Sequence, residues 1–337
     1  MTRFIKEAIL MARLKFNRLR TYPKYEGPLI DSMMQIGDRV LVESIDQNMK
    51  DLNITHMALF ARQQEPEDST QHVLAIKKVL GDRIVLGTPK RFDQQDDLTL
   101  KFVKDTLQDV KNGAKFIGEL HFAHADKYPP SVGCEVTIRG ERYVYALGPN
   151  VLKLMDALDG KGIPVFVHWE MYHWDRDWPA FDELFSRYPN INFIWAHAGY
   201  GKPMYSNEIL NKHKNVYITL SKRDLFFFKR KWVTKKGYKA GAWSIVNLDW
   251  QDSLGSSILD PDGQIYHEWW SLIKRYSNRF LFATDSHKVE RWDTYKDIIS
   301  DWREILGTIP GRHPKGQKFL EDIAYKNAEK LFGITHK

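Results

Sequence analysis

IPVFVH (163–168) and NFIWAH (192–197) are short β-type runs that each end on a histidine. Two more runs of the same build, KFIGE (115–119) and FLFATD (280–285), end on carboxylates. Short apolar runs of this kind, separated by helix-length stretches, read as parallel strands. Parallel strands joined by helices bring their C-terminal ends to one face. Glu119, His168, His197 and Asp285 are therefore expected on that face together. Converging carboxylates and imidazoles make a candidate divalent-metal site, and with it a candidate hydrolytic or lyase centre.

Working outward, LIDSM (29–33), HMALFA (56–61), RIVLGT (83–88) and VYITLS (216–221) complete a set of eight strands, the fourth of which extends to KFIGELHF (115–122). Helical patterns fall between most of them, at residues 41–52, 70–80, 97–111, 148–160, 179–188 and 203–213. Eight strand–helix alternations predict an α/β fold of the (β/α)8 barrel type rather than an open doubly wound sheet. The first strand is not followed by a Gly-rich phosphate loop, which weighs further against a dinucleotide fold. Two connections depart from a plain barrel. Residues 123–147, after strand four, contain Pro129, Pro130, Gly133 and Gly140 and read as a loop over the mouth. Residues 222–279, after strand seven, are longer than one helix needs. Long loops in compact domains serve as lids or as packing elaborations.

Composition narrows the class. The 337 residues suit one barrel, read here as a single domain over 23–337. Apolar residues make up 43% of the chain, but no stretch is apolar for long enough to span a bilayer. The single cysteine, Cys134, excludes an internal disulfide framework and is compatible with a reducing, cytoplasmic setting. The net charge of +7 is unevenly placed. Residues 1–22 form a basic amphipathic helix candidate, with Arg3, Lys6, Arg13, Lys15, Arg18 and Arg20 interleaved with Phe4, Ile5, Ile9, Leu10, Leu14 and Phe16. Such a helix packs on the barrel, rests on a membrane surface or serves as a transit segment; it lacks the apolar core of a secretory signal. No zinc-finger, helix-turn-helix or RNA-binding signature points to nucleic acid as a partner. A small-molecule substrate is expected, and self-association into a homo-oligomer stays open.

Five motifs, in order along the chain, carry a resemblance. They are Gly118 to His121, VHWE at Val167 to Glu170, WAHAG at Trp195 to Gly199, ATDS at Ala283 to Ser286, and YKNAEKLFGI at Tyr325 to Ile334. With these the chain resembles the amidohydrolase superfamily, in the branch that includes metal-dependent decarboxylases and lactone hydrolases. The resemblance implies a metal-dependent barrel enzyme. It also implies an Asp-x-His-x-His stretch at the end of strand one, but Met33 and Gln35 stand where the histidines belong. A thioether and a carboxamide are poor divalent-metal ligands beside imidazole.

In the family those histidines and the strand-eight aspartate hold one metal, and the strand-four acid with the histidines of strands five and six holds the other. The resemblance then leaves two outcomes. Either Glu119, His168 and His197 bind a single divalent ion (zinc first, iron or manganese next), or the centre is empty and works without metal. Asp285, freed from a first metal, becomes a candidate general base.

Each residue has a plainer alternative. Glu119 could pair with a basic group on a neighbouring strand, such as Lys222, and Asp285 could hold barrel hydrogen bonds. Either histidine could be a satisfied core residue. His121, on the same strand face as Glu119, could ligate in its place or orient it. Glu170 and His287 add polar groups near the same mouth.

The stretch from Trp169 to Trp178 is strongly aromatic, so Trp169 and Trp174 are candidates to stack on a substrate, or to pack as a lid. Lys202, Lys222 and Arg223 follow strands six and seven and could clamp an anionic group, or stay solvated. The expected function is hydrolysis of a small, anionic amide, ester or lactone with one metal and an aspartate base. The alternatives are non-oxidative decarboxylation of an aromatic acid, and a non-catalytic barrel that binds a ligand or partner.

Overall fold

The computed structural model describes residues 22–36, 40–64, 67–91, 96–127, 138–221, 258, 265–286 and 289–336. The basic amino-terminal stretch before Tyr22 and the residues Lys222, Arg223 and His287 lie outside them. Among the described residues, eight barrel strands run in chain order: β1 (Leu29–Ile36), β2 (Ile54–Gln64), β3 (Ile84–Leu86), β4 (Ile117–Lys127), β5 (Val165–Trp169), β6 (Phe193–Trp195), β7 (Val216–Thr219) and β8 (Phe280–Leu281). A helix follows each: α1 (Val42–Asp51), α2 (Thr70–Leu80), α3 (Leu100–Lys111), α4 (Pro149–Leu158), α5 (Trp174–Arg187), α6 (Pro203–Lys212), α7 (His267–Tyr276) and α8 (Tyr295–Gly307). All eight expected strands are present. Some are shorter than expected, because residues such as Thr284 and Asp285 turn out of the ladder to form the mouth.

The strands pair in parallel, β1 to β2 to β3 on one side and β4 through β8 on the other. Backbone bonds join the two sets. Lys115 N donates to Leu86 O at 2.7 Å and Thr88 N to Phe116 O at 3.0 Å, linking β3 to β4. Ser32 N donates to Phe282 O at 3.1 Å and Asp285 N to Met33 O at 2.9 Å, linking β8 back to β1. These contacts complete a (β/α)8 barrel.

Asp31 locks that last seam. Its carboxylate accepts from Thr284 N at 3.0 Å, Thr284 Oγ1 at 2.8 Å and the Tyr295 hydroxyl at 2.9 Å. Burial pushes its pKa up to about 6, against the pull of those donors.

Alternation in each strand sorts two apolar layers. Inside the barrel lie Ile30, Met33, Phe60, Val85, Phe116, Phe166, Ile194 and Leu281, stoppered by Phe332 near the C-terminus. Outside, residues such as Leu29, Val167, Trp169 and Trp195 meet the helices. The connection after β4 is more ordered than a loop: β4 runs on to Lys127, and residues Ile138–Tyr143 return antiparallel to it. That ribbon leaves from the strand that carries Glu119.

Candidate metal centre

Glu119 stands at the centre of the C-terminal face. The neighbouring Gly118 lets β4 approach β3 closely, since a Cβ there would lie 2.1 Å from Thr88 O. The Gly118 amide donates to Thr88 Oγ1 at 2.9 Å, which fixes the height of the next residue. The Glu119 side chain is buried, and its two oxygens face different groups. Oε1 lies 2.6 Å from His168 Nδ1 and 3.5 Å from His197 Nε2. Oε2 pairs with the Lys90 ammonium, accepts from Gln35 Nε2 at 3.3 Å and lies 3.2 Å from His121 Nε2. Burial alone would raise this carboxyl, but the Lys90 charge, followed by that of His168, holds it well below the usual carboxylate range.

His168 comes from β5 with both ring nitrogens engaged. Nδ1 faces Glu119, while Nε2 lies 3.1 Å from Glu170 Oε1 and 3.1 Å from His124 Nδ1. Burial works to lower its pKa, yet the two carboxylates carry it above the ordinary value. His121, stacked on His168 at 4.4 Å, moves the other way: burial, then the charges of Lys90 and His168, keep it neutral.

His197 sits just past β6 in a run of left-handed backbone, with φ of 57° at His197, 48° at Ala198, 57° at Gly199 and 56° at Tyr200. Such conformations are costly for residues with a Cβ, and they cluster where a side chain must be aimed. Gly199 is required, because a Cβ there would meet the Trp195 ring at 2.3 Å and Trp169 O at 2.6 Å. The His197 amide donates to Thr219 Oγ1 at 2.9 Å, and Nδ1 lies 2.7 Å from Ser221 Oγ. With Nδ1–H on Ser221, the Nε2 lone pair points to Glu119 and Asp285. Asp285, also left-handed at φ 48°, accepts from Gln35 Nε2 at 2.7 Å on Oδ1 and turns Oδ2 to 3.5 Å from His197 Nε2.

The structure thus brings Glu119, His168, His197 and Asp285 together, with His121 and Glu170 against them. One ligand atom each from Glu119, His168 and His197 falls within a mutual 4.8 Å, as does one each from His124, His168 and Glu170. The first set offers two imidazole nitrogens and a carboxylate oxygen, a donor chemistry suited to a divalent ion with open positions. The fit extends outward, since Glu170 on His168 and Ser221 on His197 orient the rings from behind.

Other expected residues lie elsewhere. Trp169 follows an inward histidine and so points outward. It is fully buried between β5 and α5, stacked on Phe181 at 4.0 Å with Trp174 at 5.4 Å, and its Nε1 donates to Asp177 at 3.1 Å. Trp174 in turn stacks on Trp178 at 4.7 Å and meets Tyr205, tilted, at 4.6 Å. This aromatic run is packing in the helical layer, not a wall of the centre. Lys202 precedes α6 and is partly exposed.

Sequence reasoning missed Lys90 and His124. Lys90 lies in a two-residue strand beyond β3, in register with Arg62 of β2. The signal for it was a lysine just past a strand's C-terminal end. His124 has the wrong parity to share a face with His121, but a register shift between His121 and Ala123 turns it to the same side.

The amidohydrolase family model matches residues 133–334, which include His168, His197 and Asp285. No curated protein matches the chain. Among solved structures, an uncharacterised TIM-barrel protein of Bordetella bronchiseptica is 13% identical, with a TM-score of 0.50, covering 97% of this chain and 91% of that one. An amidohydrolase of Burkholderia multivorans with bound HEPES is 11% identical, with a TM-score of 0.50 and coverage of 91% and 100%. A 2,6-dihydroxybenzoate decarboxylase from Rhizobium is 14% identical, with a TM-score of 0.47 and coverage of 92% and 99%. At these identities the likeness is one of fold. The family match spans more than half the sequence: the chain belongs to the amidohydrolase family.

Proposed function

We propose that the chain is a metal-dependent hydrolase of a small anionic amide, ester or lactone, working with one divalent ion, zinc by preference, held by Glu119, His168 and His197. The observation that carries the reading is the convergence of Glu119 Oε1, His168 Nδ1 and His197 Nε2, with Asp285 Oδ2 3.5 Å from the last of these. When bound, the metal supplies a Lewis acid that polarises the scissile carbonyl and acidifies water.

The chain's own groups do the rest. Gln35 pins Asp285 Oδ1 at 2.7 Å, so Oδ2 is the oxygen presented to the reaction. Asp285 takes the proton of the attacking water and passes it to the leaving heteroatom. Glu170 keeps a proton on His168 Nε2, which leaves the Nδ1 lone pair for the ion. An anionic substrate is proposed from the sequence alone, in which the cations Lys222 and Arg223 directly follow strand seven.

The test is a panel of small anionic lactones, esters and amides, assayed with zinc-loaded protein, after chelation, and after zinc is restored. Turnover that follows the metal supports the reading. Turnover indifferent to chelation contradicts it, and carbon dioxide in place of hydrolysis products would move the reaction to decarboxylation.

A further inference from the structure

We propose that Lys90 is a resident cation of the centre, its ammonium holding the second cation position beside Glu119 so that the cluster accepts one metal ion and no more. The inference deepens the single-metal reading above and rests on it.

Lysine is among the residues least often buried, and an ammonium out of water needs a close counter-charge. Lys90 is only 6% exposed. Its Nζ pairs with Glu119 Oε2, on the side of the carboxylate turned away from His168 and His197. Parallel pairing of Lys90 with Arg62 of β2 fixes its backbone at the C-terminal end of the barrel. Burial lowers the Lys90 pKa, and the attraction of Glu119, then of Asp285, works against that to keep the ammonium.

Gln35 fills the space beside Lys90. Its amide nitrogen donates to Glu119 Oε2 at 3.3 Å and to Asp285 Oδ1 at 2.7 Å, so it spans the two carboxylates. An ion seated between Glu119 Oε2 and Asp285 Oδ1 would have to displace both the ammonium and the carboxamide. An ion at Glu119 Oε1 displaces neither.

The balance of charge agrees with the geometry. Glu119, Asp285 and Glu170 are buried carboxylates of the cluster, and Lys90 is its buried ammonium. One divalent ion brings this set to neutrality. A second would leave a strong uncompensated positive charge away from water, with the Arg62 guanidinium already 3.5 Å from Gln35 Oε1.

The experiment is a cobalt(II) titration of the full chain, read by visible absorbance, with competition against a chromogenic chelator for affinity. The native protein should saturate at one equivalent; saturation at two overturns the proposal without any variant. Lys90→Met should bind the first ion at least tenfold more tightly, and Lys90→Arg, which keeps the charge, should bind as the native protein does. Should Lys90→Met fail to fold, Lys90→Gln keeps a donor to Glu119 without the charge and is read the same way.

Gln35→His alone should stay at one equivalent, whereas Gln35→His with Lys90→Met should take two. Two equivalents in Gln35→His alone, or unchanged affinity on loss of the Lys90 charge, overturns the inference. A native protein that binds no cobalt would instead sink the single-metal reading. Uptake by Lys90→Met would then still support Lys90 as the cation holding the site, and no uptake would end both.

Discussion

At the N-terminal end of the barrel interior, Phe60, Phe116, Phe166 and Phe332 meet as a cluster of rings, with Phe116 and Phe166 at 5.3 Å and Phe116 and Phe332 at 5.4 Å. A few residues further along β4 and β5, the interior holds Glu119 and His168, with Lys90, His197 and Asp285 beside them. Burial is shared between the two ends. On β5 parity is shared too, while on β4 a register shift between Ile117 and Leu120 brings Glu119 to the side of Phe116. The chemistry is opposite. The rings gain by leaving water and hold the strands together. The ionic groups lose by leaving water and persist only because each finds a partner. One end of the barrel therefore carries stability, while the other spends part of it on a reactive cluster.

This contrast can be broken at either end. The largest effect is expected at the ionic end. Asp285→Asn should lower turnover by about 10²–10⁴-fold, the range of a lost general base, while metal content and unfolding midpoint stay near native. Steady-state kinetics beside metal analysis checks this, and loss of the metal would make Asp285 a ligand instead.

The ring cluster should answer in the other currency. Phe116→Ala is expected to destabilise the fold by about 3–5 kcal/mol, read by denaturant unfolding, with the metal affinity of the folded fraction unchanged. If affinity fell in step, the two ends would not be separable.

Asp31 sharpens the contrast, because it is a carboxylate whose consequence is structural. Its folded pKa of about 6 stands above the ordinary 3.8, so the folded chain holds the proton more tightly than the unfolded one. Its contribution to stability is therefore lost as pH rises from about 4 to 6, by up to about 3 kcal/mol. Asp31→Asn should flatten that part of the stability profile relative to the native protein, in unfolding curves taken between pH 4.5 and 7. A smaller change is expected from Glu170→Gln, which should weaken metal binding by about 10–100-fold through the orientation of His168. An unchanged dissociation constant would show that Glu170 does not set the ring.

The strands were legible because buried parallel strands are short apolar runs, and the positions of Glu119, His168, His197 and Asp285 followed from where those runs end. The same alternation that turns His168 inward turns Trp169 outward, which favours packing over substrate stacking for the aromatic stretch after β5. Lys90 was hidden for a different reason. Its burial depends on a two-residue pairing with β2, and its place just past the end of β3 was the one local sign that set it apart from solvated lysines. His124 was hidden by a register shift in β4, which strict alternation cannot foresee. The loss of the strand-one histidines at Met33 and Gln35 was plain in the sequence. That Gln35 donates to both Glu119 and Asp285 was not, since it takes the closed barrel to bring strands one, four and eight together.

The most direct measurement is the metal content of the full chain, expressed and purified without a metal-affinity tag or chelator, alongside His197→Ala prepared in the same way. The account predicts near one equivalent of a divalent ion, zinc foremost, in the native protein and its loss in the variant with the fold retained. A native protein that is reproducibly free of metal, or a His197→Ala variant that keeps its ion, would contradict it.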